Sequence, residues 1–194
     1  MPLRLRNLTV AFSLLLILPI AQAFAKKPNY DETIRVFKNA GEARKFFDTS
    51  YGYAVFPTIG KGAVGVGGAH GNGRVYEQGK YVGDAEMSQV IVGLSLGGKS
   101  FSEIVFFKDK NTFDEFTKGN FEFGAEASAI VVTSGASAQT STAGSSAGAS
   151  GSKEDATATG GYYKGMATFI VPKGGLMADF SVNGQKFSYK PLAK

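Results

Sequence analysis

The sequence predicts an α+β fold that is mainly β: an antiparallel, strongly coiled or barrel-like sheet of about eight or nine strands, with short N-terminal helices and one short mid-chain helix. Three observations carry this expectation. Apolar and polar residues alternate with a period close to two over most of the chain, as strands require. Glycine accounts for 26 of 194 residues, roughly twice its usual ~7% share and with no collagen-like repeat, which favours turns and bulges over long helices. Two stretches, 30–48 and 111–118, switch to helical spacing.

Residues 1–25 are expected to be a secretory signal peptide. Arg4 and Arg6 precede the apolar stretch 8–20, and the small-x-small sites Ala21-Gln22-Ala23 and Ala23-Phe24-Ala25 follow, placing cleavage after Ala23 or Ala25. The apolar core contains Pro19 and is shorter than the ~20 residues a membrane-spanning helix needs. Residues 26–194 then make one domain by length, addressed to the periplasm or cell envelope. Without Arg4 and Arg6 the net charge falls from +5 to about +3, too mild for a nucleic-acid binder. The chain has no Cys, which removes disulfides, thiolate metal ligands and a thiol nucleophile. Its single His, His70, has no second His or Cys to build a metal cluster with, and is read as a strand-end or turn residue.

Along the chain, 30–48 reads as helix because Ile34, Phe37, Phe46 and Phe47 share a face while Arg35, Lys38, Glu42, Arg44 and Lys45 remain for solvent. Asn39-Ala40-Gly41 divides it into two short helices. Strands are expected at 52–56, 62–70, 74–78, 90–96, 101–108, 121–132, 163–171, 176–182 and 186–189. Gly71-Asn72-Gly73, Gly97-Gly98 and Asn183-Gly184 supply turns. Residues 111–118 read as a helix with Asn111 as N-cap, Phe113 and Phe116 on one side and Gly119 past the end. In 134–161, 24 of 28 residues are Ser, Gly, Ala or Thr; nothing there offsets the entropy of ordering, so a flexible insert is expected.

No catalytic constellation emerges, and a non-enzymatic protein without cofactor or metal is expected. Gly93-Leu94-Ser95-Leu96-Gly97-Gly98-Lys99-Ser100 matches the phosphate-loop pattern. That loop aims amides and a helix N-terminus at phosphate, whereas Phe101-Ser102-Glu103-Ile104-Val105-Phe106-Phe107 follows as strand, so a glycine hairpin is expected and no nucleotide. Gly65-Val66-Gly67-Gly68-Ala69-His70-Gly71 resembles part of a dinucleotide fingerprint but has no βαβ unit around it. Glu122 and Glu126 lie on one side of a strand with backbones ~13 Å apart, too wide for paired acid–base work.

From Gly52-Tyr53-Ala54-Val55-Phe56-Pro57 and Gly65-Val66-Gly67-Gly68 the chain resembles the SYLF domain family of lipid-binding modules. The likeness continues through Gly93-Leu94-Ser95-Leu96-Gly97-Gly98-Lys99-Ser100-Phe101-Ser102-Glu103-Ile104-Val105-Phe106, Phe113-Asp114-Glu115-Phe116 and Phe123-Gly124-Ala125-Glu126-Ala127-Ser128. It reaches Tyr163-Lys164-Gly165 and Gly175-Leu176-Met177-Ala178-Asp179-Phe180-Ser181-Val182-Asn183-Gly184, and so spans nearly all of 33–190. The resemblance implies structural roles for Phe56, Pro57, Gly65, Gly67, Gly68, Gly97, Gly98 and Gly175. It also implies peripheral binding to phospholipid, helped in eukaryotic members by a basic N-terminal helix; some fungal members bind actin, which an exported protein does not meet.

In this chain the candidate lipid-binding residues are Lys26, Lys27, Arg35, Lys38, Arg44 and Lys45, opposed by Asp31, Glu32, Glu42 and Asp48. The expected partner is an anionic phospholipid surface. Two rival readings remain. In one, the protein is an envelope scaffold that meets another protein through its strand-rich surface or the insert; for the helices themselves the alternative is that Ile34, Phe37, Phe46 and Phe47 pack onto the sheet and the cations are an ordinary solvated face. In the other, it is a small outer-membrane barrel, against which stand the two helical interruptions and the non-aromatic end Leu192-Ala193-Lys194.

Overall fold

The structure is a computed structural model that describes residues 28–124, 127, 129–132, 161–175, 182 and 184–193. The expected leader (1–25), Lys26 and Lys27 lie outside the described residues, as do nearly all of the expected insert 134–161 and of the expected strand 176–182. Helices α1 (Tyr30–Asn39) and α2 (Gly41–Thr49) come first, then strands β1 (Gly52–Glu77) and β2 (Lys80–Phe107). Helix α3 (Lys110–Thr117) follows, then β3 (Phe121–Glu122), β4 (Ile130–Val131), β5 (Met166–Gly175) and β6 (Gln185–Pro191). The protein is mainly β, with one six-stranded sheet.

β2 is its axis. β1 pairs with β2 antiparallel from Glu77↔Lys80 to Gly52↔Phe107, while the other edge of β2 is shared: β6 covers Gly83 to Gln89 and β5 covers Lys99 to Phe107. β3 adds to β6, and β4 adds to β5 in the sheet's one parallel pair. Among the described residues the sheet is open, without the barrel-like closure expected from the sequence.

Among the described residues the strands number six, where eight or nine are expected, because glycines read as turns lie inside strands and the expected strand 176–182 falls almost wholly outside the described residues. Gly71-Asn72-Gly73 pairs with Met87-Glu86-Ala85, and Gly97-Gly98 pairs with Ala63-Gly62. Three expected strands therefore merge into β1 and two into β2. The reversal sits instead at Gln78-Gly79, with φ of 49° and 80°, the left-handed pair that a tight two-residue hairpin demands. His70 is accordingly mid-strand, opposite Ser88, and its Nδ1 lies 3.6 Å from Glu86 Oε1. The expected strand 121–132 pairs only at its two ends, as β3 and β4.

β1 bends instead of breaking. Gly65 has φ 74°, and the register slips between Val64↔Leu96 and Val66↔Val92, so three residues of β2 oppose one of β1, as in a bulge. The bend brings the two halves of β1 together. A Cβ on Gly73 would lie 2.6 Å from the Phe56 ring, one on Gly71 2.6 Å from Ile59, and one on Gly67 2.4 Å from the Ala63 Cα.

Both faces of the central strands are buried, with a period of two deciding which residue goes where. Tyr53, Val55, Ile104, Phe106 and Phe169 face α1 and α2, joining Phe37, Ala40, Ala43 and Phe46. Ala54, Phe56, Phe101, Val105 and Phe107 face the other way, joining Met87, Phe113, Phe116 and Phe187. α3 covers this second layer through Phe113 and Phe116, as their spacing predicts. Its N-cap is Asp109, not Asn111: the Asp109 carboxylate accepts from the Thr112 amide at 2.9 Å. That hydrogen bond and the neighbouring Thr112 hydroxyl hold the Asp109 pKa below its usual value. Gly119, with φ 83°, closes the helix.

Candidate functional site

The basic N-terminal segment is a two-helix layer. Asn29 caps α1, its side chain accepting from the Glu32 amide at 3.0 Å, and Asp31 and Glu32 occupy the first turn, where the helix dipole favours acids. Ala40, in extended conformation, separates α1 from α2 at the expected break.

The apolar stripe of these helices turns inward. Phe37 and Phe46 are buried, and Ile34 and Phe47 are half-buried against the same cluster. The Phe46 ring lies 5.5 Å from that of Phe106, 5.1 Å from Phe169 and 5.0 Å from Tyr162; Phe47 stands edge-on to Tyr53 and Phe106. Each such burial contributes ~1.5–3 kcal/mol, so these phenylalanines hold the helices to the sheet and are not available to a membrane.

The cations face solvent. Arg35 is committed to Glu32 by two hydrogen bonds, at 2.6 and 3.1 Å, which raise its pKa. Lys38, Arg44 and Lys45 are exposed, and among the described residues no ion pair engages them. Lys38 Nζ sits 5.4 Å from the Phe47 ring centre and Lys45 Nζ 5.5 Å from that of Phe46, so their stems lie over the aromatics they shield. Within 28–49 the four cations are matched by Asp31, Glu32, Glu42 and Asp48. The segment's excess of about +2 therefore rests on Lys26 and Lys27. A further cation escaped sequence reasoning: Arg74 of β1 stacks between Tyr30 and Tyr81, its guanidinium carbon 4.2 and 4.6 Å from their ring centres.

The residues to which the family resemblance gives structural roles lie on β1 and β2 and, for Gly175, at the end of β5 against β2. Phe56 is fully buried, 5.5 Å from Phe187. Pro57 sits at a register shift, where a strand tolerates a missing amide, and its carbonyl accepts from the Ser102 hydroxyl at 2.7 Å. Gly68 approaches the Gln89 carbonyl, and Gly175, φ 116°, packs on the Gly98 and Lys99 backbone. Gly97 and Gly98 are strand residues, and β2 continues from Ser100 to Phe107 with no helix after it. The amide cradle of a phosphate loop is thus not built.

The sequence also gave no warning of a buried polar group on the inward face of β2. Glu103 has 0% exposure, accepts from Gln185 Nε2 at 3.0 Å, and leaves its other carboxylate oxygen unpartnered. Burial pushes its pKa up to about 7 against the Gln185 hydrogen bond and the Lys61 charge, which lower it. Its alternation with Phe101, Val105 and Phe107 was available as a signal; the equally apolar Ile104 and Phe106 made the inward face ambiguous.

A cleft of about 230 Å³ lies between the α3–β3 connection and the start of β5, with Phe121, Phe123 and Met166 inside and Glu115, Glu122 and Lys164 around it. Glu122 stands 3.5 Å from Lys186; Glu126 lies outside the described residues. Among the described residues no three His, Cys, Asp or Glu side chains are grouped to hold a metal. No described helix is long and apolar enough to cross a membrane.

The fold and surface define a β-rich domain with a helical layer on one face and a bent two-stranded ribbon at its heart. No family model matches the chain. Over 158 residues, 79% of its length, it is 32% identical to Beta cell expansion factor A of Aeromonas veronii. The match covers 51% of that protein, so the chain spans about half the length of this curated relative.

Proposed function

We propose that this protein is an exported SYLF-type module, without enzymatic activity, that associates peripherally with anionic phospholipid. The observation that carries the reading is the placement of Lys38, Arg44 and Lys45, exposed and, among the described residues, without carboxylate partners, on the outer side of helices whose apolar side is spent on the core. The sequence resemblance supports it; the curated relative's name refers to an action on beta cells, which belongs to a longer chain and is not carried over. With the phenylalanines buried, attraction at this surface is electrostatic. Each unpaired cation near an anionic bilayer contributes ~1 kcal/mol, and three together give roughly a 100-fold preference over a neutral bilayer.

The test is co-sedimentation with phosphatidylglycerol-containing vesicles, comparing the wild type with the Arg35→Glu, Lys38→Glu, Arg44→Glu, Lys45→Glu combination. All four side chains are solvent-facing, and an unchanged far-ultraviolet spectrum checks that the variant folds. A loss of about 100-fold or more in partitioning is expected; unchanged partitioning would show that the helices are not the contact surface.

A further inference from the structure

The bend of the β1–β2 ribbon carries an apolar surface that the core does not use. Val64, Val66, Val90, Val92 and Leu96 are 79%, 67%, 77%, 79% and 78% exposed, whereas Ala63, Ala69 and Ile91 of the same two strands are buried. They form one patch, since Val64 pairs with Leu96 and Val66 with Val92, and Gly68 next along pairs with Val90. Isolated exposed valines are ordinary on a protein surface; five at one bend are not.

Charge distinguishes what this patch suits. The two ribbon segments at the bend, 58–73 and 88–102, contain no Asp or Glu, although the chain has 16 of them. Their ionisable residues are Lys61 and Lys99, both buried at 3% and 7% exposure, and His70, at the far end beside Glu86. Lys173 of β5 adds a further cation, its amine 3.0 Å from the Thr58 hydroxyl. A carboxylate carried into hydrocarbon is costly, and so is unpaired backbone. The bend has none of the first, and its two strands pair up to either side of the register shift, at Val64↔Leu96 and Val66↔Val92.

We propose that the outer face of this bend inserts into the acyl region of an anionic phospholipid bilayer, with Val64, Val66, Val90, Val92 and Leu96 as the inserted side chains. The inference rests on the phospholipid reading above and adds to it a second, apolar contact on a different element. The helix cations supply attraction that salt screens; the bend supplies a part that salt leaves in place.

The chain has no Cys, which permits a direct test. Single variants Val66→Cys, Val92→Cys and Leu96→Cys, with Lys118→Cys and Lys190→Cys as references, are labelled with an environment-sensitive fluorophore and mixed with phosphatidylcholine–phosphatidylglycerol vesicles. Labels at 66, 92 and 96 should shift to the blue and be quenched by spin-labelled lipid, while those at 118 and 190 remain in a polar environment. Co-sedimentation with the three bend labels still in water would overturn the insertion and leave the phospholipid reading standing; no co-sedimentation of any variant or of the wild type would overturn both. A blue shift without vesicles would also overturn it: concentration dependence would assign the patch to a second copy, and independence to the chain's own residues. The Val66→Ser, Val92→Ser, Leu96→Ser combination should retain its far-ultraviolet spectrum and lose at least about tenfold of its salt-resistant binding. Unchanged salt-resistant binding by this folded variant would equally refute the proposal.

Discussion

Glu103 makes stability depend on pH in the direction opposite to that of salt-bridged or hydrogen-bonded carboxylates. Its carboxylate is fully buried and its pKa stands at about 7 against an ordinary 4.5. The folded state therefore holds the proton more tightly than the unfolded chain. Its full stability is present below pH 4.5 and declines as pH rises through 7. At ~1.36 kcal/mol per pH unit, the gap between the two values corresponds to about 3 kcal/mol. Urea unfolding followed by tyrosine fluorescence, which suits a chain with 8 Tyr and no Trp, should show the midpoint falling between pH 4.5 and 8. In Glu103→Gln the slope should vanish and the protein should be more stable than wild type at pH 8 by up to about 3 kcal/mol. A variant that keeps the wild-type slope would refute the reasoning, because the titrating group would then be elsewhere.

Other substitutions probe the packing. Phe46→Ala removes a ring in contact with Phe106, Phe169 and Tyr162 and should cost about 3–5 kcal/mol in the same unfolding assay. Gly67→Ala should destabilise by at least ~1–3 kcal/mol, since its Cβ would fall 2.0 Å from the Gly62 carbonyl oxygen and backbone cannot easily yield. Gly60→Ala, with nothing within 4 Å, should lie within about 0.5 kcal/mol of wild type. Equal effects at the two glycines would show that the bend is not closely packed.

The helices were legible because their signals are local. Asn39-Ala40-Gly41 interrupts the helical pattern where Ala40 is extended, and Phe113, Phe116 and Gly119 define α3. The cap of α3 was misplaced by two residues because Asp109 and Asn111 are both good N-caps, and only tertiary placement chooses between them. The strand count was less legible. Glycine permits both a reversal and a bend, and whether Gly71, Gly73, Gly97 and Gly98 end a strand depends on pairing with residues far along the chain. Gln78-Gly79, which does reverse it, is a weaker turn signal than Gly71-Asn72-Gly73, which does not.

Of the candidate site, the exposure of Arg35, Lys38, Arg44 and Lys45 followed from their spacing. The packing of Phe37 and Phe46 against the sheet was one of two readings the pattern allowed, and the aromatic face of β2 and β5 decided it. Glu103 and the apolar patch at the bend were hidden for one reason: a period of two names two faces without saying which is inside. Where both faces of a strand are apolar, a buried carboxylate and an exposed valine look alike.

The most direct measurement for phospholipid association is equilibrium partitioning of the purified protein onto vesicles of increasing phosphatidylglycerol content, each at low and high salt. The account predicts binding that rises with anionic lipid and weakens with salt, falling to a residue that the bend sustains. Equal binding to neutral and anionic vesicles, or none to either, would contradict it.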